Sequence, residues 1–105
     1  MAAAAAAFVK AEIAAAPVVV FSKSYCPYCH KAKAALTPLT SGGIMRWHEL
    51  DSMDDGAAIQ SALAFTGATS VPRVFIGGKF IGGGDDTVAL ARSGQLQKLI
   101  DAARK

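Results

Sequence analysis

The stretch "PVVVFSKSYCPYCHKAKAAL" (Pro17–Leu36) passes from one periodicity to another within ten residues. Pro17 to Phe21 is a continuous β-branched and aromatic run, as expected for a strand buried on both faces. From Pro27 the pattern turns helical. Cys29, Ala32, Leu36 and Leu39 are spaced to share one helix face. Pro27 suits the first helical position, where a missing N–H costs nothing. Pro38 disfavours helical geometry at Thr37, so the helix kinks or ends there. Both cysteines of the chain, Cys26 and Cys29, lie at the junction of strand and helix, with His30 directly behind them.

The flanking elements follow from similar signals. The N-terminal segment is rich in alanine, the best helix former, and predicts an amphipathic helix with Phe8, Val9 and Ile13 turned inward. "SGG" (Ser41–Gly43) is a turn, and "IMRWHELD" (Ile44–Asp51) alternates enough to be a strand holding Trp47. Asp54 and Asp55 are placed to cap a third helix carrying Ile59, Ala62 and Leu63, with Gly67 just past its end. "VPRVFIGGKFIGG" (Val71–Gly83) predicts two strands around the Gly77-Gly78 hairpin signal. Asp85 and Asp86 then open a helical tail whose apolar positions are Val88, Ala91, Leu96, Leu99 and Ile100, divided at Gly94. The order α-β-α-β-α-β-β-α predicts an α/β fold with a four-stranded mixed sheet flanked by helices on both faces.

A chain of 105 residues is one domain, residues 1–105, and 52% hydrophobic residues can bury a real core without disulfide staples. The net charge of +3 is spread over mixed signs rather than gathered in a basic block. That argues against a nucleic-acid surface and favours small anionic ligands. The alanine tract has no early charge and is broken by Lys10 and Glu12, unlike a secretory signal, and lacks the Arg and Ser of a transit peptide. No run reaches the roughly 18 apolar residues of a membrane span. A soluble, cytoplasmic, reducing location is expected. There a lone C-x-x-C is catalytic or metal-binding rather than structural.

Cys26-Pro27-Tyr28-Cys29-His30 fits three chemistries: a redox pair, half of a metal site, or a c-type haem attachment. With Cys26 at the start of the helix, its sulfur takes the place of an N-cap acceptor facing the free N–H groups of the first turn. The helix dipole and those amides favour a thiolate there, and Lys23 adds a positive charge. Cys29, one turn inside, lies on the apolar face. Cys26 therefore attacks, and Cys29 resolves the mixed disulfide. Haem attachment, with Met45 or Met53 as a distal ligand, needs export and suits a helical wrapper better than a sheet. A zinc site built from both thiols with His30 and His48 lacks the paired ligand spacing. His30 is expected on the helix surface.

"VVVFSKSYCPYC", "DDGAAIQSALAFTG", "SVPRVFIGGKFIGGGDD" and "SGQLQKLI" together cover nearly the whole chain. In them the sequence resembles a dithiol glutaredoxin of the C-P-Y-C class, most like plant and green-algal cytosolic ones. The resemblance implies a thioredoxin-like fold and glutathione-dependent reduction of protein–glutathione mixed disulfides and of small or protein disulfides. It implies Cys26 as nucleophile, Cys29 as resolving thiol, and glutathione as co-substrate. Lys23 and Gln60 would face its glycyl carboxylate, with Tyr28 flanking the site. Val71 would pair its backbone with the cysteinyl unit, beside Ser70 and a cis Pro72. Gly83, Gly84, Asp85 and Asp86 would hold the γ-glutamyl end. Ser70 stands where Thr is common, and Gly84 where Ser or Cys is frequent. Arg73 adds a positive charge at the groove. The resemblance also admits an iron–sulfur carrier in which two chains bridge a cluster through Cys26. Pro27 speaks against it, because cluster-holding relatives tend to carry a smaller residue there. No metal and a monomer are expected. C-P-Y-C in place of W-C-G-P-C disfavours a thioredoxin-type enzyme reduced by a flavoprotein.

Overall fold

The computed structural model describes residues 2–105. Its elements are α1 (Ala2–Ala15), β1 (Val18–Ser22), α2 (Pro27–Leu36), β2 (Met45–Glu49), α3 (Gly56–Ala62), β3 (Arg73–Ile76), β4 (Lys79–Gly82), α4 (Gly84–Ser93) and α5 (Gln95–Arg104). The strands form one sheet in the order β2-β1-β3-β4. β1 runs parallel to β2 and antiparallel to β3, and β3 and β4 form the hairpin at Gly77-Gly78. This is the expected four-stranded mixed sheet.

Every residue of β1 is buried, as its unbroken apolar run demands. Alternation then sorts its side chains between two cores. Val19 and Phe21 join Phe75, Ala5, Val9, Ile59 and Leu63 on the face covered by α1 and α3. Val18 and Val20 join Val74, Ile76, Ala32, Leu36, Leu96 and Ile100 on the face covered by α2, α4 and α5. Truncating a buried phenylalanine such as Phe21 or Phe75 costs about 3–5 kcal/mol, so this central layer holds the strand ends in place. Trp47 packs against the second core, with Lys33 Nζ 5.1 Å from its ring centre.

Two local expectations are corrected. Asp55 occupies the N-cap position of α3, but its side chain makes no cap hydrogen bond, and Asp54 lies one residue before it, in the turn. What fixes this helix start is Gly56, whose missing side chain lets the backbone close on Leu50. An added Cβ would lie 1.9 Å from the Leu50 carbonyl oxygen. Leu99 is exposed rather than inward, because α5 rests on Leu96 and Ile100 and turns Leu99 outward. The alanine helix is tied to the sheet by a polar knot. Glu12 accepts hydrogen bonds from Arg46 Nη1 at 3.0 Å and from His48 Nε2 at 2.8 Å. Burial pushes the Glu12 carboxyl up, but the hydrogen bonds and charges of Arg46 and His48 outweigh it and hold it below its ordinary value. The imidazole of His48 is stacked on Phe21, with ring centres 5.3 Å apart. Among the described residues no helix is long and apolar enough to cross a membrane.

Candidate functional site

β1 ends at Ser22, and the chain turns so that the Cys26 N–H donates to the Lys23 carbonyl at 3.1 Å. Cys26 is then the N-cap of α2, extended at φ −88° and ψ 117°, with Pro27 next in the first helical position. Its sulfur accepts from the Cys29 N–H at 3.3 Å. The cap expected from the sequence is therefore present, with sulfur in the place of the usual side-chain oxygen. No acidic residue stands in the first turn of α2 to compete for its free amides. In the thiol form Cys26 also donates to the Val71 carbonyl at 3.6 Å.

Both cysteines are free, Cys26 partly exposed and Cys29 wholly buried. Burial pushes the Cys29 thiol up to about 11, against the lowering pull of the Ser22 hydroxyl and the Lys23 backbone. The two thiols of one helix turn thus differ in exposure, one open at the helix start and one sealed in the core. His30 lies on the helix surface, where its Nε2 meets the Ser24 carbonyl at 2.7 Å.

Beside Cys26 runs a groove of about 380 Å³. Tyr28 forms one wall and Ser70, Val71 and Pro72 the floor, the Val71–Pro72 bond being cis. Gly83, Gly84, Asp85 and Asp86 close its far end. There α4 begins with a second kind of cap. Asp86 Oδ2 reaches back to accept from the Gly83 N–H at 3.1 Å, and Gly82 (φ +131°) leaves room for that carboxylate. Gly84 lets the two helix starts approach: a Cβ on it would lie 2.7 Å from the Tyr28 carbonyl oxygen. The departure from Ser or Cys at this position is thus matched by close backbone contact.

Lys23 and Gln60, two of the residues singled out in the sequence, are not part of this lining. The Gln60 amide donates to the Thr69 carbonyl at 2.9 Å, bracing the loop ahead of Val71. Lys23 is partly buried, its Nζ 5.9 Å from the Tyr25 ring centre. It also adds to the positive surroundings of Asp51, whose carboxyl is held below its usual value chiefly by the Ser24 hydroxyl and N–H. Two lining residues stand outside the expected set. Arg73 donates to the Ser70 hydroxyl at 2.7 Å and lays its guanidinium 5.0 Å from the Phe80 ring centre. The sequence singles out Arg73 only by its charge and Phe80 only as part of the hairpin. Its signal was its alternation in the hairpin, which puts it opposite Phe75. Among the described residues no group of three or more His, Cys, Asp or Glu is gathered as a metal ion requires.

A family model described as Glutaredoxin matches residues 18–81. The chain is 50% identical over 95 residues to Glutaredoxin-C6 of Oryza sativa subsp. japonica, covering 90% of this chain and 83% of that protein. Its structure superposes on oxidized glutaredoxin 2 from Chlamydomonas reinhardtii with a TM-score of 0.91 at 48% identity, covering 98% and 96% of the two chains. A buckwheat glutaredoxin–glutathione complex gives a TM-score of 0.89 at 39% identity over 98% of this chain and 93% of that one.

Proposed function

The chain belongs to the glutaredoxin family and is a glutathione-dependent thiol oxidoreductase, and we propose that its reaction runs through Cys26 in the groove just described. One observation carries this reading: a partly exposed sulfur caps α2 at 3.3 Å from the Cys29 N–H, and 3.6 Å from the backbone of Val71 at the groove floor. The thiolate of Cys26 attacks the glutathione sulfur of a protein–glutathione mixed disulfide. The Cys26–glutathione bond forms, the protein leaves as a thiolate, and its sulfur is reduced. A second glutathione thiolate then attacks the bound glutathione sulfur, releasing glutathione disulfide and Cys26. Where the substrate is an ordinary disulfide, Cys26 attacks one of its sulfurs and the other leaves as a thiolate. Cys29 then attacks Cys26 Sγ, the second substrate sulfur leaves as a thiolate, and the two cysteines end oxidised as a disulfide while the substrate is reduced.

The groove suits glutathione along its length. Val71 lines the groove floor, where its backbone suits an extended cysteinyl unit in the manner of an added strand. The first amides of α4 suit the γ-glutamyl carboxylate, and Asp85 and Asp86 suit the ammonium beside it. Tyr28 and the cis Pro72 shape the walls, and Ser70 serves by orienting Arg73. Lys23 and Gln60 lie outside the groove lining, and only the family resemblance assigns them to the glycyl carboxylate. Substrates are glutathionylated and disulfide-containing proteins met in the cytoplasm by a monomer without a resident metal. A brown purified protein with visible absorbance overturns the metal-free part. The decisive measurement is turnover of a glutathionylated protein with glutathione and its reductase. Cys26→Ser abolishes it, whereas Cys29→Ser retains much of it and loses the reduction of disulfides that needs both cysteines. Equal loss in both variants overturns the division of roles.

A further inference from the structure

Between the buried end of β1 at Ser22 and the start of α2 at Pro27 the chain makes one tight turn, with Ser24 and Tyr25 at its centre. The Lys23 carbonyl closes it, accepting from the Cys26 N–H at 3.1 Å and from the Ser22 hydroxyl at 3.3 Å. Packing does not hold the tip: Ser24 is exposed and Tyr25 is 68% exposed. An exposed turn of this kind is ordinarily mobile. Yet it carries Cys26, whose sulfur stands at once at the helix cap and at the groove floor.

Hydrogen bonds to distant residues take the place of packing. The Ser24 N–H donates to Asp51 Oδ1 at 3.0 Å, and the Ser24 hydroxyl donates to Oδ2 of the same carboxylate. The Ser24 carbonyl meets His30 Nε2 at 2.7 Å. A carbonyl only accepts, so Nε2 carries a proton and donates. Every polar group of Ser24 is therefore held, its N–H and hydroxyl by one residue and its carbonyl by another. Both holders stand on firm ground. Asp51 follows the buried Leu50, on which the Gly56 backbone closes. His30 lies in the first turn of α2, directly after the buried Cys29, and its own N–H donates to the Cys26 carbonyl at 3.1 Å. His30 thus ties the carbonyls of Ser24 and Cys26 together.

We propose that His30 and Asp51 are positioning residues for Cys26, which fix where its sulfur stands by gripping Ser24 from two separate elements. The proposal rests on the glutathione-dependent reading above. Only Tyr25 separates Ser24 from Cys26, so a shift of Ser24 passes on to the thiol. A displacement of about 1 Å at a reacting atom can cost about a hundredfold in rate. Releasing either end of Ser24 frees the turn, and releasing the second end adds little. The histidine of C-x-x-C-H thereby acquires a use that is neither metal nor haem ligation.

The test follows the first step of the reaction. The reduced full chain is mixed with glutathione disulfide and quenched in acid at intervals. The Cys26 thiolate attacks one glutathione sulfur, the Cys26–glutathione bond forms, and the second glutathione leaves as a thiolate. Mass counts that adduct together with the internal disulfide that forms from it. His30→Ala and Asp51→Ala are each expected to slow this step about fivefold. His30→Gln, which keeps an N–H donor, and Asp51→Asn, which keeps an acceptor for the Ser24 N–H, regain most of the parent rate. The variant carrying both alanines stays within about twofold of the slower single one, because both act through Ser24, whereas two unrelated structural lesions multiply to about 25-fold. The parent rate in either alanine variant overturns the proposal. So does a double loss equal to the product of the singles, or a His30→Gln as slow as His30→Ala. If Asp51→Ala fails to fold, Ser24→Ala, which removes the hydroxyl's bond to Asp51, takes its place in the cycle. A parent chain that forms no adduct overturns the glutathione reading itself, a separate result.

Discussion

Two helices start at the rim of one groove, and their first turns are built in opposite ways. α2 opens on the sulfur of Cys26 and has no acidic residue in its first turn. α4 opens on glycine with Asp85 and Asp86 in its first turn, and Asp86 curls back onto the Gly83 N–H. The shared device is a set of free backbone amides with the positive end of a helix dipole. Side chains decide how each is used. The bare end of α2 leaves its first amides to the Cys26 sulfur, whereas the end of α4 carries two carboxylates beside its amides.

The largest effect comes from making the two ends alike. Cys26→Asp puts a permanent acceptor at the cap of α2, and a good cap is worth about 1 kcal/mol. The expected protein melts at or above the parent temperature and has no turnover with glutathione. Surviving turnover breaks the assignment of chemistry to the α2 end. Next is the contact between the ends. Gly84→Val must push against the Tyr28 backbone, 2.7 Å from its first added carbon. Overpacking of this kind costs about 1–3 kcal/mol. A lowered urea midpoint together with a raised KM for glutathione is expected, and an unchanged midpoint shows that the helix starts are not in contact.

A smaller change concerns the α4 cap alone. Asp86→Ala should lose about 1 kcal/mol of stability in urea, the usual worth of such a cap. Asp86→Asn, which keeps an acceptor for the Gly83 N–H, should lose less. Equal losses separate the carboxylate from capping. The smallest is a slope with pH. The Cys29 thiol is raised from an ordinary 9.0 to about 11 in the fold, so the unfolded chain gives up this proton first. Its contribution to stability is whole below about pH 9 and is lost as pH climbs toward 11. Urea midpoints measured across that window should fall in the parent and flatten in Cys29→Ser, while sites in α4 leave the slope unaltered.

What the sequence made legible was local. The buried run of β1, the placement of Pro27 and the spacing of the cysteines each act within a few residues, so the cap at Cys26 and the shielding of Cys29 followed from spacing alone. The cis Val71–Pro72 bond came only with the family resemblance, since nothing near Pro72 encodes it. The Glu12–His48 pair spans 36 residues and the Ser24–Asp51 pair 27, and neither has a spacing signature. Leu99 followed the helical period yet faces solvent, because the period marks a face and not how far the neighbouring layer extends. Asp55 stood at the right place to cap α3, but a glycine close approach, invisible to propensity, settled that helix start.

With Cys29 sealed in the core and glycine at position 84, the chain offers one thiol to the outside. A dye, a mass tag or a gold surface that reacts with thiols therefore meets the molecule at a single point beyond the end of β1. The Gly77-Gly78 turn lies at the other end of that strand, where the Gly77 N–H donates to the Pro17 carbonyl at 2.9 Å. Molecules tethered through Cys26 all stand the same way up, with that turn outermost and open to carry an inserted tag.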